Sequence, residues 1–159
     1  MPRKPLRPKE RRKNFMPDAR YNSVLLGKFL NKLNFSGQKS VAERIIYSAF
    51  NLIKDKLKED PLKVFIQAIE NVRPLLEVKA RRVGGATYQV PVETARERSE
   101  TIAMRWLIQY AQEKKGVPMH KKLADELMAA YKKEGSAMKK REDTHKMADA
   151  NKAFAHYRW

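Results

Sequence analysis

From Asp18 onward, apolar residues recur at helical spacing along the chain, and only one stretch breaks that period. Leu26, Phe29, Leu30 and Leu33 fall on one face of a first helix, with Asp18 as its expected cap and Lys28 and Lys32 together on another side. Gly27 inside this helix costs about 1 kcal/mol relative to alanine and leaves room for a close neighbour. A second helix, capped by Ser36, carries the stripe Val41, Ile45, Ala49, Leu52 and Ile53. The third has Asp60 as N-cap and Pro61 at its first position. Leu62, Phe65, Ile66 and Ile69 form its buried face, and Pro74 stops it.

Further on, Thr94-Ala95-Arg96-Glu97 has the form of a capping box and opens the longest helix. The apolar side of that helix is Ile102, Ala103, Trp106, Leu107 and Tyr110. Arg98 and Arg105 lie two turns apart on its polar side, and Gly116 and Pro118 end it. Another helix runs from about Met119, with Leu123, Leu127 and Tyr131 inward and Gly135 as its C-cap. The last follows Ser136.

The exception is residues 77–92. Val78 and Ala80, then Tyr88, Val90 and Val92, alternate with polar residues as strands with one buried face do. Gly84-Gly85 between the two runs supplies the positive φ that a tight hairpin turn needs. Pro91 cannot donate to a ladder, so the second strand ends there or lies on an edge. Lys79, Arg81 and Arg82 load the first strand, and no acid faces them from the second. Such an arm is either a probe for polyanion or a charged edge that resists sheet-to-sheet aggregation.

The reading is therefore mainly α. About six helices form one bundle over residues 18–159, with a protruding β-hairpin between the third and fourth helices. Residues 1–17 stand apart. They hold four prolines, one acid (Glu10) and seven cations: Arg3, Lys4, Arg7, Lys9, Arg11, Arg12 and Lys13. That composition is expected to be disordered until it folds on nucleic acid.

Charge narrows the function. The 159 residues carry a formal net charge of +17, a self-repulsion that a phosphate backbone commonly offsets. No apolar run is long enough to span a membrane, and the amphipathic helices are needed for the core. There is no cysteine, so disulfides and thiolate zinc sites are excluded. No signal peptide is visible, and Pro2, Pro5 and Pro8 would break the helix of a transit peptide.

Catalytic groups do not converge. There is no phosphate-cradling glycine loop, no His-Glu-x-x-His helix and no thiol nucleophile. His120, His145 and His156 are scattered among lysines, Ser99 and Ser136 read as helix-surface and cap residues, and no metal or cofactor is implied. What remains are basic elements of different shapes, two of them extended. A duplex-DNA reader concentrates its contacts on one groove-sized helix. This distribution fits folded RNA better, with a sequence-indifferent nucleoid-type DNA binder as the alternative.

Several of these segments also resemble a known family. Phe29-Leu30-Asn31-Lys32, Asp60-Pro61-Leu62, Arg81-Arg82-Val83-Gly84-Gly85-Ala86 and Tyr88-Gln89-Val90-Pro91 match the bacterial small-ribosomal-subunit protein seven family. So do Arg105-Trp106-Leu107, Lys139-Lys140-Arg141-Glu142-Asp143, Met147-Ala148 and residues 151–159. One departure is Gly37-Gln38-Lys39, where the family usually has Gly-Lys-Lys, which removes a charge from that loop.

The resemblance implies a non-enzymatic, primary rRNA-binding protein of the small ribosomal subunit in the cytoplasm. It implies binding to the 3′ major domain of 16S-type rRNA, nucleation of head assembly, and contact with neighbouring head and platform proteins. It also implies a hairpin near the exit-site tRNA and the messenger RNA exit path and, in some bacteria, repression of the protein's own operon. No homo-oligomer and no membrane partner are expected.

On this reading the tail cations neutralise rRNA phosphates, and Lys28, Lys32, Lys39, Arg96, Arg98 and Arg105 form a globular basic face. Lys79, Arg81 and Arg82 set the hairpin against rRNA. Arg81, Arg82, Gly84 and Gly85, with Tyr157, Arg158 and Trp159, lie close to tRNA and mRNA.

Overall fold

The computed structural model describes residues 16–157. The order of elements is α1 (Val24–Leu33), α2 (Lys39–Leu57), α3 (Pro61–Val72), β1 (Leu76–Val83), β2 (Ala86–Glu93), α4 (Arg96–Glu113), α5 (Met119–Tyr131), α6 (Ser136–Ala150) and a 3-10 helix (Lys152–Tyr157). This is the mainly helical architecture expected, with the hairpin inserted between the third and fourth helices.

Helix α5 packs against α2, α3 and α4, so one core runs through the bundle. At its centre Phe29 and Phe65 meet edge to face at 5.2 Å, and Phe50 lies 5.7 Å from Phe65. All three rings are buried, Phe29 and Phe65 on the apolar stripes of α1 and α3 and Phe50 on α2.

Helix α3 forms as its sequence dictates: the Asp60 carboxylate accepts from Leu62 N at 3.1 Å, and Pro61 fills the first position. Elsewhere, long-range packing displaces local expectations. On α2 the buried face is Ala42, Ile46, Ala49, Phe50 and Ile53; of the expected stripe Ala49 and Ile53 are buried, Ile45 and Leu52 pack at its edge, and Val41 is exposed. Ile66 of α3 is likewise exposed. Ser36 does not cap α2; it takes a left-handed conformation (φ 53°) two residues before the actual N-cap, Gln38.

Asp18 does not cap α1 either. Ser23 holds that position, accepting from Leu26 N. Asp18 is instead buried, accepting from Arg20 N and Tyr21 N at 3.1 and 3.0 Å and from the Tyr47 hydroxyl at 2.7 Å. Burial and this carboxylate push the Tyr47 hydroxyl up to about 12. The turn so anchored lays its backbone on α1: a Cβ at Gly27 would stand 2.5 Å from the Met16 carbonyl oxygen, which explains the glycine.

The capping box of α4 does not form. Ala95 is the N-cap and the Thr94 hydroxyl is buried without a hydrogen-bond partner, while Thr94 N donates to Leu75 O and closes the base of the hairpin. Gly135 is the N-cap of α6 (φ 95°), not the C-cap of α5, which is Lys132. Buried Glu126 reaches across from α5, accepting from Ala137 N at 3.2 Å in the first turn of α6, with Lys114 Nζ at 2.8 Å as counter-charge.

Candidate nucleic-acid interface

The hairpin follows from its turn. Gly84 and Gly85 have φ of 58° and 91°, both positive, as a two-residue type I′ turn demands. The register pairs Lys79 with Val90, Arg81 with Tyr88 and Arg82 with Thr87, so no acid stands opposite the cations. Residues paired across an antiparallel ladder share a face. Tyr88, Val90 and Val92 therefore lie with Arg81, Lys79 and Glu77, whereas Val78 and Ala80 lie on the other side with Arg82. One face is the more buried, as expected, and it carries Tyr88, Val90 and Val92 with only Val90 fully buried; Val78 and Ala80 do not share it but lie on the opposite, more exposed face.

Glu77 ties this arm to the bundle. Its carboxylate accepts from Arg98 Nε at 2.8 and 2.9 Å and pairs with Lys79 Nζ at 3.1 Å. Burial would push the Glu77 carboxyl up, but the hydrogen bonds and charges of Arg98 and Lys79 outweigh it and hold it below the ordinary carboxylate range. On the other side of the base, Leu75 N donates to His145 Nε2 at 3.1 Å, which requires a neutral ring. Burial and the Arg141 charge hold His145 below the usual histidine range, against a smaller opposing effect of Asp149.

A third tie is aromatic. The Tyr88 ring lies 5.2 Å from Phe154 and 5.1 Å from Tyr157, so the 3-10 helix packs on β2. Tyr157 thus docks on the hairpin through Tyr88. The tip, from Gly84 to Thr87, is exposed, as is Arg82.

The globular face divides into paired and unpaired cations. Lys39 pairs with Glu43 at 3.6 Å one turn on, and Arg96 with Glu100 at 3.2 Å. With Arg98 and Lys79 already on Glu77, four of the expected nucleic-acid contacts carry acid partners. Lys28 is half-buried on α1.

Lys32 and Arg105 differ. Carried by α1 and α4, they line one pocket of about 300 Å³ with Ile108, Gln109 and Gln112. Among the described residues no acid pairs with either cation. Partial desolvation, and then the Arg105 charge, lower the affinity of Lys32 for its proton. The pocket thus holds uncompensated positive charge over an apolar floor, since Ile108 is only 7% exposed.

The sequence reading missed Gln109 and Gln112, although they stand four and seven residues after Arg105 and so share its helix face. It also missed Glu77 as the partner of Lys79 and Arg98. The tail residues Arg3, Lys4, Arg7, Lys9, Arg11, Arg12 and Lys13, together with Arg158 and Trp159, lie outside the described residues.

A helical bundle with a cationic cleft and a basic hairpin, on a chain of net charge +17, has the character of a polyanion-binding protein. Comparison with known proteins gives the family. The model for ribosomal protein S7p/S5e matches residues 5–152. The small ribosomal subunit protein uS7 of Endomicrobium trichonymphae is 60% identical over 159 residues, the full length of both chains. That of Thermotoga neapolitana is 56% identical over 148 residues, 93% of this chain and 96% of its own. That of Elusimicrobium minutum is 57% identical over the full length of both. The chain belongs to the S7p/S5e family of ribosomal proteins, a family of structural proteins and not of enzymes.

Proposed function

We propose that this protein is a structural constituent of the small ribosomal subunit that binds the 3′ major domain of the 16S-type rRNA and nucleates assembly of the subunit head. Its place is at the subunit interface, beside head and platform proteins, with the hairpin near the exit-site tRNA and the mRNA exit path.

The observation that carries the rRNA reading is the Lys32–Arg105 pair, two neighbouring cations without an acid among the described residues. Facing like charges are unfavourable in the free protein and become favourable once phosphate lies between them. Family membership supports the choice of polyanion.

Lys28, Lys32 and Arg105 contact the rRNA directly. Lys39 and Arg96 exchange weak surface pairs for phosphates at little cost. Arg98 and Lys79 aim the hairpin through Glu77, and Arg81 and Arg82 carry it onto rRNA, with Gly84 and Gly85 at the tip toward tRNA. The tail cations Arg3 to Lys13 thread between RNA helices, and Tyr157, Arg158 and Trp159 accompany the hairpin.

The test is binding to a transcript of the 3′ domain in the presence of excess duplex DNA, followed by nucleotide footprinting. Retention with protection focused on one helix junction is expected. Loss to the competitor with diffuse protection would overturn the reading in favour of a sequence-indifferent DNA binder.

A further inference from the structure

The pocket between α1 and α4 has more structure than a patch of charge needs. On α4, Arg105, Ile108, Gln109 and Gln112 follow the i, i+3, i+4, i+7 spacing, so one helix face lines the cleft while Lys32 closes it from α1. At about 300 Å³ it sits at the small end of ligand pockets. The chemistry is graded along it, with two cations, then a nearly buried isoleucine, then two carboxamides. Gln109 Nε2 donates to Glu113 Oε1 at 3.0 Å, which orients this amide and leaves its carbonyl oxygen able to accept.

We propose that this cleft receives one unstacked nucleotide of the RNA: its phosphate lies between Lys32 and Arg105, and its base rests on Ile108 with an edge toward Gln109 and Gln112. This rests on the rRNA reading above and sharpens it. A paired base in an A-form helix is stacked on both faces and cannot enter so small a cleft, whereas a bulged or loop nucleotide can. Carboxamides both donate and accept, as base edges do, and so add a contact that phosphate charge alone does not give. A phosphate placed between Lys32 and Arg105 offsets the mutual repulsion of the two cations.

The experiment is an NMR titration of the full chain with uridine and adenosine 5′-monophosphates and, separately, with inorganic phosphate, reading the side-chain amides of Gln109 and Gln112. Saturable shifts of those amides by a nucleotide are expected, at least fivefold weaker in Arg105→Ala and unchanged in Lys63→Ala, which removes an exposed lysine of α3. Gln112→Ala should weaken the nucleotide and leave phosphate unaffected.

Equal affinity for phosphate and nucleotide with unmoved amides would reduce the site to a phosphate contact and overturn the base-reading part. The absence of any saturable shift would overturn the pocket altogether. Binding of the same preparation to the 3′-domain transcript separates the two levels: if it persists, only the pocket falls.

Discussion

The helical body and the hairpin are held by different kinds of contact. Phe29, Phe50 and Phe65 meet inside a core drawn from all six α-helices, where each apolar group is surrounded. The hairpin has one fully buried side chain, Val90, and otherwise depends on three separate ties: the Glu77 ion pairs, the His145–Leu75 bond and the Tyr88 aromatic cluster. A two-stranded hairpin alone is marginal in water, so these ties set its direction. The body is stable mainly through buried apolar area, to which the Asp18–Tyr47 bond and the Glu126–Lys114 pair add a few buried polar contacts. The arm is stable through individual contacts that protons, salt or single substitutions can remove. An arm so attached can open locally while the body stays folded.

The largest expected effect tests the body. Phe65→Ala should lower global stability by about 3–5 kcal/mol, the range for deleting a buried aromatic ring. A denaturant melt that follows both helical and hairpin probes should then move as one transition. If the hairpin signal alone shifted, the contrast between body and arm would fail.

Next in size is Arg105→Glu. It should leave the circular dichroism spectrum unchanged and weaken binding to the 3′-domain transcript by tenfold or more, since charge-assisted hydrogen bonds are worth about 1.5–3 kcal/mol. Arg96→Ala, whose guanidinium already has Glu100 one turn on, should change affinity much less. Filter binding at fixed salt distinguishes the two.

Smaller, and confined to the arm, is Phe154→Ala. Losing one partner of Tyr88 should cost the hairpin about 0.5–1.5 kcal/mol. Amide exchange in β1 and β2 should accelerate while α3 keeps its protection. Uniform acceleration across α3 would show that the 3-10 helix supports the whole fold.

The smallest effect is acid loosening of the arm. His145 is held below its ordinary value, so the unfolded chain takes up its proton first. The stabilisation from neutral His145 is full above the ordinary histidine range and is lost as pH falls through the lower folded value. Arg141 pushes in the same direction and Asp149 opposes it. Glu77 adds a second step, its contribution being present above the ordinary carboxylate range and lost at still lower pH. Hairpin exchange rates measured on descending from neutral pH should rise in that order. A His145→Gln variant that keeps the first step would assign it elsewhere.

Local signals in the chain were readable where one residue controls its own backbone. Asp60-Pro61 starts α3 and Gly84-Gly85 turns the hairpin, because a cap or a positive φ is satisfied within a few residues. Where a feature depends on a distant group, reading failed. Asp18 resembles a cap by position, but the Tyr47 hydroxyl from α2 draws it inward. Thr94 and Glu97 have the spacing of a capping box, yet Thr94 N is already engaged with Leu75 O. The site shows the same division. Basic character was plain from composition, but which cations remain available was not, since Glu77 meets Arg98 across twenty-one positions of sequence.

The sequence by itself determined the helical class, the hairpin and its turn, and the excess positive charge, because periodicity, glycine conformations and ionisation are properties of short stretches. Only the tertiary structure decided that Val78 and Ala80 lie on the hairpin face opposite Tyr88, Val90 and Val92. It also decided that Arg98 serves the arm and that Lys32 and Arg105 face each other over Ile108. These outcomes depend on register and on the packing of α4 against α1. Charges interact through space at distances of a few ångströms, so their roles follow from the meeting of elements and not from their order along the chain.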